Sequence, residues 1–516
     1  MTLRRIVIYL IAAFALRGAL FGNAVIHVDE QFYLLVGDRM LHGALPYVDI
    51  WDRKPVGLFL VYAVIRLLGG DGIVAYQVIA TLFVAATALV AAHIADRSPG
   101  RGGTLAGLLY LIWLMICDGA GGQAPIFYDL PMAGAAAIVV GVLVGGPRAR
   151  IGVRGALAMA LVGVAIQLKY TAGLEGALFG VTLLVALRRS GASWAKLVAH
   201  ATVWAAIAFA PTVAAYAYYA TIGQGDAFVF ANFVSIFARE GDGSGGSRLV
   251  QLLAGVVALL PLAIPAAIAL REERARPSSA WFMIAWLAVA TVAILAVGTF
   301  RLQFFLPLLL PLSIAAGAGL SSRSGRPVGV AAAIVLLLGL AAGAFVAHDH
   351  VQRRGTAAQV AALVTQIGMR PPGCLFVFGS EPILYHLTRS CLPSRFLFRS
   401  HLAERREAGA IGVDQLGEMR RVLAGRPGVI VVRTSKGNAD RRVEALLRAV
   451  LKREYRLTAV VRVGALPHRV YCLRGTPQSR TGQPLASASR RSVLPGLTAT
   501  GSSTQSSIAA SETSSL

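Results

Sequence analysis

Apolar residues run through this chain in long blocks divided by short polar stretches, without the alternation of a half-buried soluble fold. The first block extends from Ile6 to about Ala24, behind Arg4 and Arg5. Others lie near 73–95, 104–118, 130–146, 155–168, 173–187, 198–222, 249–270, 280–298, 303–320 and 327–346. A block near 20 residues predicts a helix that crosses a bilayer, and the shorter ones predict kinked or broken helices. No small-x-small cleavage site follows the first block, which predicts an uncleaved first helix with its N-terminus in the cytoplasm. About eleven spans then carry the C-terminus to the exterior. The apolar stretch 55–69 fits this count as a re-entrant or surface-lying helix.

Composition agrees. Of 516 residues, 56% are hydrophobic and 14% charged, with mean hydropathy +0.66, against roughly 25% charged in a soluble protein. This excludes a soluble enzyme, a DNA-binding protein and a zinc-finger protein, and predicts an α-helical polytopic membrane protein. The formal charge of +24 needs no nucleic acid, because cytoplasmic loops collect Lys and Arg. Assigning alternate loops to the cytoplasm places 15 bases inside and 8 outside, while of fifteen acids in residues 1–347 only Asp96, Glu272 and Glu273 fall inside.

From about His348 the composition changes, and 25 of the 49 bases follow. The pattern predicts a small periplasmic α/β domain over 348–475 beyond a membrane domain over 1–347. Strands are expected at Cys374–Gly379, Val429–Arg433, Leu457–Val463 and Arg469–Leu473, and helices at Pro382–Leu387, Gln415–Leu423 and Arg441–Lys452. Two of Cys374, Cys391 and Cys472 can pair in an oxidising compartment, and sequence does not choose which. The Ser/Thr-rich segment 476–516 reads as a disordered tail. His348 and His350 flank Asp349, a spacing that reads as an interfacial polar cluster.

The predicted exterior loop 25–54 carries the chemistry. It contains His27-Val-Asp29-Glu30-Gln-Phe-Tyr33, Gly37-Asp38-Arg39 and Tyr47-Val-Asp49-Ile-Trp51-Asp52-Arg53-Lys54-Pro55. Five acids, three bases and four aromatics beside the bilayer point to a built site. The Asp-Glu pair just past the first helix, an aromatic three or four residues on, and Lys-Pro opening the next apolar stretch resemble the GT-C membrane glycosyltransferases. The branch is that of the lipid A aminoarabinose transferase and the protein O-mannosyltransferases. The resemblance covers about residues 1–320, most specifically 27–57, and this chain departs from it in having Lys54-Pro55-Val56 where many relatives have Lys-Pro-Pro.

The resemblance implies a hexosyl or pentosyl transferase taking sugar from a polyprenyl-phosphate donor on the exterior face of the inner membrane. The acceptor would be a glycolipid such as lipopolysaccharide, a polysaccharide or a protein. It implies Asp29 as general base, with Glu30 shaping the site and Tyr33 supporting it, and Lys54 on the donor phosphate. A base suits an acceptor hydroxyl, the phosphate leaves without an acid, and cations steady its charge. Asp129 matches a second family acid, and Arg301 and Gln303, before Phe304-Phe-Leu-Pro307, match a family helix start, which implies Arg301 on the donor phosphate with Gln303 supporting. Asp129 and Asp29 can share a divalent cation such as Mg or Mn, although the nearer branch resembles metal-independent enzymes. Lys169 and Tyr170 interrupt an apolar stretch, and since a charge at the bilayer centre costs about 2.5–3.5 kcal/mol, they predict an exterior turn where Lys169 meets phosphate. The loop 223–248, with Asp226, Asn232, Arg239, Glu240, Asp242 and several glycines, reads equally as a mobile cover over a bound donor or as a passive linker. The basic C-terminal region reads as a surface for an anionic acceptor such as lipopolysaccharide or for the membrane surface. The rival classes are a transporter or lipid flippase, which would carry its charges at the midplane and show repeated halves, and a scaffold in envelope assembly with a degenerate active site.

Overall fold

A computed structural model describes residues 2–97, 102–145, 150–239, 245–272, 277–321, 329–433 and 438–475. All eleven long apolar blocks form helices. Among the described residues seven helices are long and apolar enough to cross a membrane, including Ile73–Ala95, Ala124–Gly145 and Trp194–Thr221. Shorter apolar helices stand beside them, including Leu3–Arg17, Gly103–Ile116, Ile151–Ile166 and Ala172–Arg189. Small residues let these helices approach closely: a Cβ on Gly317 would lie 2.6 Å from the backbone nitrogen of Ala106 on the neighbouring helix. Val56–Arg66, inside the stretch 55–69, has only 11 residues. At 1.5 Å per residue it is about 16 Å long, half the thickness of a hydrocarbon core.

Three local expectations need correction. The first helix does not reach Ala24; it ends at Arg17, followed by a single 3-10 turn over Gly18–Leu20. Gly18 and Gly22 break it, the latter with φ +80°, and the Arg17 side chain turns into the protein. The segment 25–54 is not an open loop, since its first half is the helix Val28–Met40, buried over most of its length. The stretch 223–248 starts with the helix Gly225–Val229 and a wide turn, Phe230–Val234. Glu240 and Asp242 lie outside the described residues, as do Arg101, Arg148, Arg274, Arg276, Arg323, Arg326 and the segment 476–516.

The C-terminal region holds four strands, β1 (Leu375–Phe378), β2 (Val429–Val432), β3 (Tyr455–Val463) and β4 (Leu466–Leu473), in the order β1-β2-β4-β3. β1 and β2 are parallel, joined by a crossover containing Ile383–Leu387 and Gln415–Ala424; β3 and β4 are an antiparallel hairpin. Cys374 and Cys391 form the disulfide, leaving Cys472 free. An unforeseen helix, Ala357–Ile367, begins with a capping box between Thr356 and Gln359; its apolar face was masked in the sequence by the long block before it.

Strand alternation decides what each sheet face meets. Leu375, Val377, Val429, Val431, Val463 and Val470 join the apolar core of the bundle. Phe376, Phe378, Ile430 and Tyr455 pack instead with Met419, Val422, Val443 and Leu447 of the outer helices. Polar ties lock the sheet region to the helical end beneath it: Gln31 donates to Glu381 (2.8 Å), Asn23 to the Gly355 carbonyl (2.9 Å), and Arg53 pairs with Glu407 (2.7 Å).

The buried Arg17, 2% exposed, ties this end together. It donates to Thr81 Oγ1 (3.0 Å) and to the carbonyls of Gly119 (2.6 Å) and Gly121 (2.7 Å). Arg17→Met keeps the apolar stem but strands these buried acceptors, so it should destabilise the protein by about 3 kcal/mol. Thr81→Val should cost about 1 kcal/mol. Thermal unfolding of the detergent-solubilised variants checks both, and equal midpoints for Arg17→Met and wild type would refute the assignment.

Candidate active site

Asp29 lies in the first turn of Val28–Met40, where the helix dipole favours a carboxylate. His27 is the N-cap, its Nδ1 accepting the Asp29 backbone N–H at 3.2 Å. Burial by itself would raise the Asp29 carboxyl, but His27, Lys54, Arg399 and Lys169 together hold it below the usual carboxylate range. Its neighbour Glu30 behaves oppositely. One position along a helix turns a side chain by about 100°, which takes Glu30 inward to full burial. There it accepts from Tyr76 (3.0 Å) and from the Gly122 backbone N–H. Burial pushes Glu30 up to about 7, with Gly122, Tyr76 and Arg17 opposing. Gly121 is required here, since a Cβ would stand 1.7 Å from Glu30 Oε2. Two adjacent carboxyls are thus driven apart, the pattern that separates a working ionised acid from a neighbour with another task.

The cations around Asp29 arrive from three distant segments. Lys54 ends the strap 41–54. Tyr47, buried and at φ +71°, donates from its hydroxyl to the Lys54 carbonyl (2.7 Å), which fixes the strap where Pro55 opens the next helix. Lys169 occupies the turn between Ile151–Ile166 and Ala172–Arg189, with Nζ 5.9 Å from the Tyr128 ring centre and 5.8 Å from that of Phe304. Burial, then the like charge of Lys54, pushes Lys169 down to about 8, while Asp29, Asp129 and Glu175 oppose. Arg399 comes from the C-terminal region and faces both Asp29 and Glu381. Glu381 in turn pairs with Arg433 (2.5 Å). Asp52 also faces this group through Lys54 and Asp29.

An apolar cavity of about 1350 Å³ opens directly beneath. Val56 and Gly57 on its wall follow Lys54-Pro55, Gln167 and Leu168 precede Lys169, and Phe127 precedes Tyr128. The rest of the lining is almost entirely Leu, Val, Ile, Phe, Ala and Pro. A long apolar chain can lie there with its charged end among the cations.

Not every sequence candidate joins Asp29. Asp129 is buried in Ala124–Gly145, where Tyr110 donates to it at 2.9 Å, and it faces Lys169. Tyr33 is buried edge-on between Phe59 and Tyr62 as part of the core. Tyr170 donates to Asn232 (3.0 Å), tying the turn of Lys169 to the segment 225–234. Arg301 is exposed ahead of the turn Leu302–Phe305, whereas Gln303 approaches His27 Nε2 at 3.5 Å. His348 is exposed and Asp349 pairs with Arg353, while His350 lies 3.3 Å from Asp118. Among the described residues no group of three or more His, Cys, Asp or Glu could hold a metal ion.

Sequence reading missed Arg17, Asp118, Arg354 and Arg399. Arg17 left a visible sign, a lone charge inside an apolar block. Asp118 pairs bidentately with Arg354 (2.6 and 2.8 Å) and stands 4.0 Å from His27, joining positions 236 residues apart. Arg399 reaches across 370 residues of chain, and no local pattern announces either partnership.

No protein-family model matches the chain, and no curated protein sequence matches it. Among solved structures it resembles ArnT from Cupriavidus metallidurans bound to undecaprenyl phosphate, with a TM-score of 0.59 at 16% identity over 90% of this chain and 97% of that one. The apo form of the same protein gives 0.57 at 15% identity, over 90% and 96%. At such identity the likeness concerns the fold. The chain is a multi-pass membrane protein with the GT-C fold of ArnT, the architecture that residues 27–57 resemble.

Proposed function

We propose that the protein is an inverting glycosyltransferase that moves a sugar from a polyprenyl-phosphate donor to an acceptor on the exterior face of the membrane. The observation that carries this reading is Asp29 held ionised among Lys54, Lys169 and Arg399, with the chain neighbours of both lysines lining the apolar cavity. The polyprenyl chain lies in the cavity, and the phosphate meets the lysines. Asp29 takes the proton of the acceptor hydroxyl as its oxygen attacks the anomeric carbon. The bond from that carbon to the phosphate oxygen breaks, and polyprenyl phosphate leaves as an anion steadied by the cations. Glu30, tied to Gly122 and Tyr76, positions the helix that presents Asp29. The ArnT structure with undecaprenyl phosphate supports a polyprenyl-phosphate donor. In this reading the side-chain cations hold the phosphate, and no divalent ion is assigned a role.

The sheet-bearing end is read as periplasmic, which the Cys374–Cys391 disulfide and the loop charges support. The transporter reading would draw on Asp129 and Glu175 inside the helices, but each is closed by one donor, Tyr110 at 2.9 Å and Trp286 at 2.5 Å.

Asp29→Asn should lower turnover by about 10²–10⁴-fold while donor binding stays within a few fold. The assay is release of polyprenyl phosphate by protein in nanodiscs, given a panel of lipid-linked sugars and an envelope acceptor fraction. Turnover undiminished in Asp29→Asn would refute the base assignment, and transport of donor across vesicles without covalent change would select the transporter. Lys169 carries its charge below about pH 8 and loses it as pH rises through that value. The donor KM should therefore climb above about pH 8, and Lys169→Arg, always charged, should carry that alkaline limb to higher pH. A limb that does not move would remove Lys169 from phosphate binding.

A further inference from the structure

The two outer helices of the sheet region, Gln415–Ala424 and Arg441–Glu454, share one apolar cluster with the outer faces of β1, β2 and β3, while the inner faces of β1, β2, β3 and β4 join the bundle core. The helix pair lies on the face of the sheet turned away from the bundle core, in a cluster that also takes in Trp51 and Phe230. On Arg441–Glu454 the buried residues are Val443, Leu447, Val450 and Leu451. Arg441, Arg448 and Lys452, spaced by seven and four residues, fall within about 20° of one line on the opposite face, and all three are exposed. Arg420 and Arg426, on and just past the neighbouring helix, are exposed as well.

The acids on this layer are largely committed to other arginines. Asp440 pairs with Arg442 (3.3 Å), Glu418 with Arg421 (2.6 Å) and Glu454 with Arg453 (2.6 Å). Among the described residues the side chains of Arg420, Arg426, Arg441, Arg448 and Lys452 form no hydrogen bond or ion pair. Glu444 stands three residues after Arg441 and four before Arg448 on this helix, while the like-charged pair Arg448 and Lys452 costs the helix stability. Folding needs only a polar outer face, and Gln or Ser would supply one.

We propose that this face is a docking surface for a polyanionic glycan, a chain bearing repeated phosphate or carboxylate groups. On the glycosyltransferase reading, on which this inference rests, that chain belongs to the acceptor. Exposed cations in a row attract such groups through charge, which Arg and Lys supply alike. From Arg441 to Lys452 the stripe runs about 16 Å, long enough for several anionic groups in series, which a single headgroup would not occupy. A bilayer is the poorer partner, because the stripe lies on the side of the sheet turned away from the bundle core.

The test uses full-length protein in nanodiscs of phosphatidylcholine alone, with heparin as the polyanion and dextran as the neutral control. Wild type should bind heparin, with affinity falling steeply between about 50 and 200 mM salt, and should not bind dextran. The variant Arg420→Gln/Arg441→Gln/Arg448→Gln/Lys452→Gln, with an unchanged unfolding midpoint, should bind heparin at least about tenfold more weakly. The fourfold Arg420→Lys/Arg441→Lys/Arg448→Lys/Lys452→Arg exchange should keep binding within a few fold. Equal heparin binding by wild type and the Gln variant, or binding of dextran, overturns the proposal. So does a Gln variant whose only loss is binding to vesicles of anionic phospholipid, which would make the surface a membrane contact. Polyprenyl phosphate release measured on the same samples separates the two readings: weakened heparin binding without turnover in wild type keeps the surface and sinks the transferase, and unchanged binding with turnover does the reverse.

Discussion

Everything at the sheet-bearing end hangs from one buried guanidinium. Arg17 sits where the first helix stops, and its donors hold the Gly119 and Gly121 carbonyls. That turn then aims the Gly122 N–H at Glu30. Glu30 cannot move without breaking this clamp, and Asp29 is its neighbour in the first turn of the same helix. A charge this deeply buried is costly unless fully bonded, which makes the arrangement cooperative: helix end, glycine turn and acidic helix form together or not at all. The price of a buried arginine is offset by a rigid platform for one carboxylate.

The second constraint is charge balance across distance. Asp29 stays ionised in a partly dry setting because Lys54, Lys169 and Arg399 converge on it from the strap 41–54, a helix–helix turn and the C-terminal region. The same logic joins Asp118 to Arg354 and Glu407 to Arg53 and Arg239. These pairs cement the sheet region to the helices. They leave a charged site next to the apolar cavity, so an apolar and a charged environment lie within a few residues of each other. The arginine stripe on the outer helices belongs to neither environment and sits on the far side of the sheet.

The sequence by itself determined the membrane class, the eleven helical blocks, the too-short helix near 55–69 and the strands after residue 374, because hydrophobic periodicity is local and burial enforces it. The resemblance of residues 27–57 pointed to Asp29 and Lys54, while Lys169 stood out as a charge that interrupts an apolar stretch. Sequence reading misjudged the first helix end and the segment 28–40: a helix buried on all sides by neighbours carries no amphipathic signature, and a polar-rich one reads as a loop. Only the tertiary structure decided which of two adjacent acids turns inward, which cysteines pair, and that Arg399 and Arg354 close a site hundreds of residues away. These are matters of direction and distance, set by a 100° turn per residue and by packing across the bundle, which the linear order of residues does not contain.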